Sequence, residues 1–344
     1  MSNLLEKLPR YPQTVIDLFD ELGIPLISTP INDLTQIGKG GNSIIYRGTM
    51  NDQEVSLKTI HVFMDNVNIF MGVPINKINA NIDEIKKCDI VTQTGINDIV
   101  ISHFISQTRD LQSLGLPTVQ KIYGYTKPTE SNDNTIQTFG LVKEYYECDL
   151  KQFIKSSEFT KLSDKNRQEL LSNLVLHILL TIKLVFIDHF KGRYSDASLQ
   201  NILIQRTDLQ YVQYGDKKIK VVGGILPVLC DFGASRIVVN DRIFMRTNWK
   251  NNYDTMRMFN CFKLDTLNNT NDCSYDFFVF FNDLRKNLNL RIKEPVMKGF
   301  DYLIKKRENY NISWNKYRPN CVTIEDIFRI NSVKEVLSNN EFVE

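Results

Sequence analysis

The sequence predicts an α+β fold of two lobes, a small antiparallel β-rich lobe carrying one helix followed by a larger, mostly helical lobe. Three observations predict it. Short alternating apolar runs separated by glycine and Asn-Asp turns fill residues 34–60. Two further runs of the same kind, 119–125 and 139–145, follow a single helical segment. Beyond residue 146 the apolar spacing turns mainly helical, most clearly in the long run 164–189.

Taken in order, residues 12–24 place Val15, Ile16, Leu18, Phe19 and Leu22 at helical spacing and stop at Gly23, which predicts an amphipathic helix in an N-terminal extension over 1–30. The first lobe is expected over 31–146. Its strands are 34–37, 43–46 and 54–60, with a glycine-rich first hairpin and a turn at 50–53. Residues 61–96 carry Gly72, Pro74 and several Asn without one period, and are expected to be an insertion. Asn97 and Asp98 are candidate caps of a helix running to Leu114, ended by Gly115-Leu116-Pro117. Strands 119–125 and 139–145 flank a polar loop, 127–134. The second lobe, 147–344, opens with a helix at 149–155. The helix 164–189 follows, then short β-like segments at 201–205, 218–222 and 228–230 and a mostly helical remainder.

Composition narrows the function classes. Lys plus Arg number 42 against 40 Asp plus Glu, a formal charge of +2, so the basic excess of a nucleic-acid or anionic-membrane binder is missing. The six cysteines form no Cys-x-x-Cys pair and have no histidine at metal spacing, which argues against a zinc site or a disulfide framework. The first ten residues lack a signal peptide's apolar core, and the run 174–186 is interrupted by His177 and Lys183, so no membrane span is expected. These features predict an intracellular, cytoplasmic protein of unspecified oligomeric state.

The chemistry-bearing segments are four. Ile37-Gly38-Lys39-Gly40-Gly41-Asn42-Ser43-Ile44-Ile45 joins two strands with small residues, whose backbone amides can approach an anion closely. Taken alone such a segment is more often a plain turn. Lys58 ends the alternation of a strand and, taken singly, is a solvated lysine. Asp196 and Asn201 lie five positions apart ahead of the apolar 202–204, and Asp231-Phe232-Gly233 follows. Together they offer three oxygen-bearing side chains suited to one base and a hard-cation site.

In this order and spacing the segments resemble the eukaryotic-type protein kinase superfamily over about residues 34–337. Gly38, Gly40 and Ser43 match the glycine loop, Lys58 the strand lysine, Asp196 and Asn201 the catalytic loop, and Asp231 the metal-binding aspartate. Glu144-Tyr145-Tyr146 resembles the hinge, and Arg318-Pro319 the segment closing the domain. The resemblance implies a two-lobed protein-kinase-like fold and an ATP- and Mg²⁺-dependent transfer of the γ-phosphate to Ser/Thr hydroxyls of a protein substrate. It implies Lys58 on the α- and β-phosphates, Asn201 and Asp231 on Mg²⁺, and Asp196 as base. It also implies that Ile37, Gly38, Lys39, Gly40, Gly41, Asn42, Ser43, Ile45, Glu144 and Tyr146 surround the nucleotide.

Departures from the pattern point two ways. Counting back from Leu111, the glutamate partner of the lysine falls on Gln107, with Asp110 as fallback; Ser198 replaces the catalytic-loop lysine and Tyr194 the usual histidine. Lys143 stands at the gatekeeper position just before the hinge, where it either turns to solvent, the favoured reading, or adds a second cation near the nucleotide. No Ala-Pro-Glu follows Asp-Phe-Gly, and Asp254 matches the helix aspartate that braces the catalytic loop. The shortened segment resembles Ser/Thr kinases of poxviruses and other large DNA viruses, which would also admit a virion location. Thr247 and Ser235, near Arg236, Arg242 and Arg246, are candidate phosphosites. Alternatives to catalysis on proteins are a pseudokinase scaffold that binds nucleotide and a small-molecule phosphotransferase.

Overall fold

The computed structural model describes residues 15–40, 43–63, 73–74, 94–111, 115–130, 136–190, 192–215, 217–239, 242–245 and 274–288. The chain is mixed α+β and separates into two compact units. The first comprises residues 1–104, 121–145 and 238–249; the second comprises 105–120, 146–237 and 250–344.

The first unit is built on a five-stranded sheet. Strands β1 (Asn32–Lys39), β2 (Ile44–Met50) and β3 (Gln53–Phe63) form antiparallel hairpins, and Asn51 and Asp52 take positive φ in the tight turn between β2 and β3. Val73–Pro74 form a short strand, β4. Beyond helix α2 (Thr94–Gln107), β5 (Ile122–Glu130) and β6 (Ile136–Glu144) complete the order β1-β2-β3-β6-β5, all neighbours antiparallel. The alternation of β3 and β6 assigns their faces. Val55, Leu57 and Val142 share a cluster with Met50, Ile27 and Ile31 on one face. Ser56, Lys58, Leu141 and Lys143, paired as Ser56↔Lys143 and Lys58↔Leu141, share the other.

Helix α1 (Val15–Glu21) falls within the expected 12–24 and is packed into this unit. Val15, Leu18 and Phe19 are buried, and the Phe19 ring meets Tyr125 edge-on at 4.7 Å and Phe139 at 5.7 Å. Gly124, at φ +150°, explains how the chain entering β1 fits: a Cβ there would lie 2.1 Å from the Pro25 carbonyl oxygen. Of the expected insertion 61–96, β3 takes the first three residues and α2 begins at Thr94. β4 pairs with β12 (Arg242–Met245) of the same unit.

The second unit contains α3 (Leu150–Phe153), α4 (Ser157–Thr160) and α5 (Asp164–Thr181), the last continuing as wider π-helical turns over Ile182–His189. Asp149, Ser156 and Ser163 cap the three starts with their side-chain oxygens. The wide turns place Lys183 and Asp188, five residues apart, in an ion pair, which lets a lysine be buried within an apolar helix. Residues Asp164–His189 are long and apolar enough to cross a membrane by length and composition, yet 94% of their most apolar 18-residue stretch is buried inside the protein. This is a core helix.

Against α5 lies the hairpin β8 (Tyr211–Tyr214) and β9 (Lys217–Lys220), of which the sequence predicted only the second strand. The fully buried His177 of α5 joins them. Its Nε2 meets the Lys220 carbonyl oxygen at 3.1 Å, and its Nδ1 lies 2.8 Å from the Tyr214 hydroxyl. Nε2 therefore carries the proton and Nδ1 accepts from the tyrosine. Burial holds the imidazole neutral by lowering its pKa to about 4.

A two-stranded ribbon, β7 (Ile202–Arg206) with β10 (Ile225–Leu229), runs antiparallel beside α5. After it come β11 (Arg236–Val239) and the helix α6 (Ser274–Asn287). Val119, expected in a strand of the first lobe, instead forms a parallel bridge with Leu229 of this ribbon. Its sheet strand starts three residues later.

Candidate functional site

In the first unit, the glycine segment forms the β1–β2 turn. The Gly40 amide donates to the Ser43 carbonyl at 2.8 Å, and Lys39 pairs with Ile44. Ile37 and Gly38 lie on β1, Ile37 being largely exposed, while Ile45 on β2 stands opposite Lys58. Gly41 and Asn42 lie outside the described residues. The order of the sheet thus brings the turn's flank and Lys58 side by side.

Lys58 is buried, and its ammonium lies 2.6 Å from Asp98 Oδ2 on α2, both side chains less than a tenth exposed. This corrects the expected Gln107 or Asp110 partner. The physical reason is register: α2 starts at Thr94 and ends at Gln107, not at 97 and 114, so Asp98 sits inside the helix rather than capping it. Ser102, one turn on, donates its hydroxyl to Asp98 Oδ1 at 3.2 Å. Both carboxylate oxygens are thereby engaged, and a charged lysine is held in a dry setting by a charge-assisted bond.

Lys143 also departs from expectation. It is buried, at 6% exposed, on the face it shares with Lys58, and not turned to solvent. At the end of β6 the Glu144 amide donates to the Lys121 carbonyl at 2.9 Å, and the Ser56 hydroxyl reaches the Glu144 carbonyl at 3.3 Å. Tyr145 carries the Arg47 guanidinium over its ring at 5.0 Å.

In the second unit, the β7–β10 register pairs Ile202 with Leu229, so the residues just before β7 and just after β10 lie beside one another. The Cys230 amide donates to the Asn201 carbonyl at 3.0 Å. This sets Asn201 next to the start of Asp231-Phe232-Gly233. Asn201 Nδ2 in turn donates to Asp196, at 3.0 Å to its carbonyl and 2.9 Å to Oδ2. Asp196, Asn201 and Asp231 therefore gather at one end of the ribbon.

Tyr194 holds this end from below. Its hydroxyl lies 2.8 Å from the Asn201 carbonyl and 2.5 Å from that of Cys230, and its ring stacks on Phe186 at 5.1 Å and meets Phe232 at 5.8 Å. Burial above all, with the acidic groups around it, pushes its pKa well up, so it stays a neutral donor. Asp276 on α6 accepts the Tyr194 and Ser195 amides at 3.1 and 2.5 Å, and Asp283, two turns on, accepts the Leu199 amide at 2.8 Å. Asp276 thus performs the bracing expected of Asp254, which lies outside the described residues. The sequence missed it because nothing local distinguishes it from other acids of an amphipathic helix.

Two residues without glycine's freedom adopt positive φ here, Ser195 at +68° and Asp231 at +56°. Such backbone is held only where its surroundings over-determine it, as the Asp276 carboxylate does for Ser195. Ser235, expected as a phosphosite, is fully buried and donates its hydroxyl to the Tyr194 carbonyl at 2.8 Å. Arg236 beside it is buried too, its pKa lowered to about 10 by burial and by Arg193. Thr247, Arg246 and Arg318 lie outside the described residues.

As a cation site, Asn201 and Asp231 offer hard oxygen donors. With Nδ2 turned to Asp196, Asn201 Oδ1 is directed away from that bond, and one or two side-chain oxygens are what Mg²⁺ ordinarily takes from a protein. Among the described residues no group of three or more His, Cys, Asp or Glu is placed to hold a metal ion. No family model matches the chain, and no curated protein matches it.

Proposed function

We propose that the chain is a protein kinase of two-lobed, kinase-like fold, transferring the γ-phosphate of ATP to Ser/Thr hydroxyls of protein substrates with Mg²⁺. The observation that carries this reading is the buried Lys58–Asp98 ion pair. A strand lysine fixed by a helix carboxylate is the part of the resemblance that the sequence lacked, and it supports Lys58 as the cation on the α- and β-phosphates. The first unit would then act as the smaller lobe and the second as the larger.

Asp196, oriented by Asn201 Nδ2, is suited to accept the proton of an incoming hydroxyl. Asn201 and Asp231 would hold Mg²⁺, which supplies neutralisation of the developing phosphate charge when bound. The αL backbone of Asp231, locked by Phe232 against Phe186 and Tyr194, supports its role as a fixed ligand. Glu144 and Tyr146 would offer backbone groups to adenine. Ser198 in place of a lysine removes one cation from the reacting phosphate.

The test is incubation of the full chain with γ-labelled ATP, Mg²⁺ and a generic basic protein, followed by phosphoamino-acid analysis. Label on Ser or Thr, reduced about 10²-fold or more in Asp196→Asn, is expected for loss of a general base. Absence of label from the wild type would leave a nucleotide-binding scaffold as the better account. Label on a small-molecule acceptor alone would favour that transferase class.

A further inference from the structure

We propose that Lys143 is a second phosphate-binding cation, acting beside Lys58 on the same face of the sheet; this rests on the nucleotide reading above. In the β3–β6 ladder Ser56 stands opposite Lys143 and Lys58 opposite Leu141, so the two lysines are diagonal neighbours on one face. Such neighbours come within reach of one another's long side chains. The opposite face, which carries Val55 and Val142, is closed by the apolar cluster with Met50, Ile27 and Ile31.

Among the described residues the charges on the shared face do not balance. Two lysine side chains are buried there, and Asp98 meets Lys58 through Oδ2 and the Ser102 hydroxyl through Oδ1. The Ser56 hydroxyl donates toward the backbone carbonyls of Lys143 and Glu144, at 3.5 and 3.3 Å. Among the described residues no hydrogen bond or ion pair of the Lys143 ammonium is found. A buried ammonium without a counter-charge is costly, and the cost is relieved when an anion arrives. A phosphate group carries enough charge and acceptor oxygens to meet two ammoniums at once, each a compact charge with three donors.

The experiment measures Mg-ADP and adenosine binding calorimetrically to the full chain, as wild type, Lys143→Met and Lys143→Arg. Lys143→Met is expected to weaken Mg-ADP about tenfold or more while leaving adenosine affinity unchanged, and Lys143→Arg to recover most of the loss. Without ligand, Lys143→Met is expected to melt at or above the wild-type temperature, because a burdened cation has been removed. Mg-ADP bound equally by wild type and Lys143→Met would overturn this proposal and leave the nucleotide reading standing. Equal loss of ADP and adenosine, or a lowered melting temperature, would assign Lys143 to the fold and overturn it as well. A wild type that binds neither ligand would overturn both.

Discussion

At the scale of single residues, Asp98 neutralises Lys58 at 2.6 Å, with both side chains less than a tenth exposed. Removing one member of such a pair strands the other, so Asp98→Ala should destabilise the chain by about 3–5 kcal/mol in urea unfolding. Replacing both, as Lys58→Met with Asp98→Leu, should restore most of that stability while leaving phosphoryl transfer abolished. Asp276 is the counterpart in the second unit. Asp276→Asn keeps the shape but weakens two charge-assisted amide bonds, with an expected loss of about 1.5–3 kcal/mol in the same measurement. The sequence displayed Lys58, Asp196, Asn201 and Asp231 because each sits in a short motif of fixed spacing. It hid Asp98, since an acid near a helix start reads equally as a cap. Lys143 was legible in principle: Phe139, Leu141 and Lys143 alternate on one face, and the general preference of lysine for water outweighed that pattern.

At the scale of elements, α5 and the β8–β9 hairpin are joined through His177, whose folded pKa of about 4 lies below its ordinary 6.5. The folded state therefore binds fewer protons than the unfolded one between these values. Stability from the neutral imidazole is complete above about pH 6.5 and is lost as pH falls toward 4, by about 3 kcal/mol in all. Urea midpoints taken at steps from pH 7 to 4 should show this fall, and His177→Phe should flatten it. Gly192 tests the entry to the segment 193–201. A Cβ there would lie 1.9 Å from the Arg236 carbonyl oxygen, in the paired stretch where Arg193 and Arg236 exchange backbone bonds. Gly192→Ala should cost stability and shift the amide resonances of 193–196, whereas a silent substitution would contradict the close approach. The five sheet strands were readable from alternation, with ends moved by one to five residues. The β8 strand and the start of α2 were not, because the first is only four residues long and the second follows a stretch without a clear period.

For the whole molecule, the formal charge of +2 is near neutral, and the cations and carboxylates of the proposed chemistry are few. Each of the two units holds one part of the predicted chemistry. The first carries the glycine turn, Lys58 and Asp98; the second carries Asp196, Asn201 and Asp231 on a ribbon end braced by α6. In the sequence the glycine turn and Lys58 precede residue 146, and Asp196, Asn201 and Asp231 follow it. The bracing helix lay beyond reach of the sequence because its contacts span some eighty residues of chain. The central claim is phosphoryl transfer dependent on these oxygen donors. Its most direct test is the Mg-ATP-dependent turnover rate of the wild type beside Asp231→Ala, with folding of both checked by thermal melting. The account predicts measurable turnover that falls about 10²-fold or more in the folded variant. Equal rates in the two proteins, or no turnover in a folded wild type that has been offered protein acceptors, would contradict it.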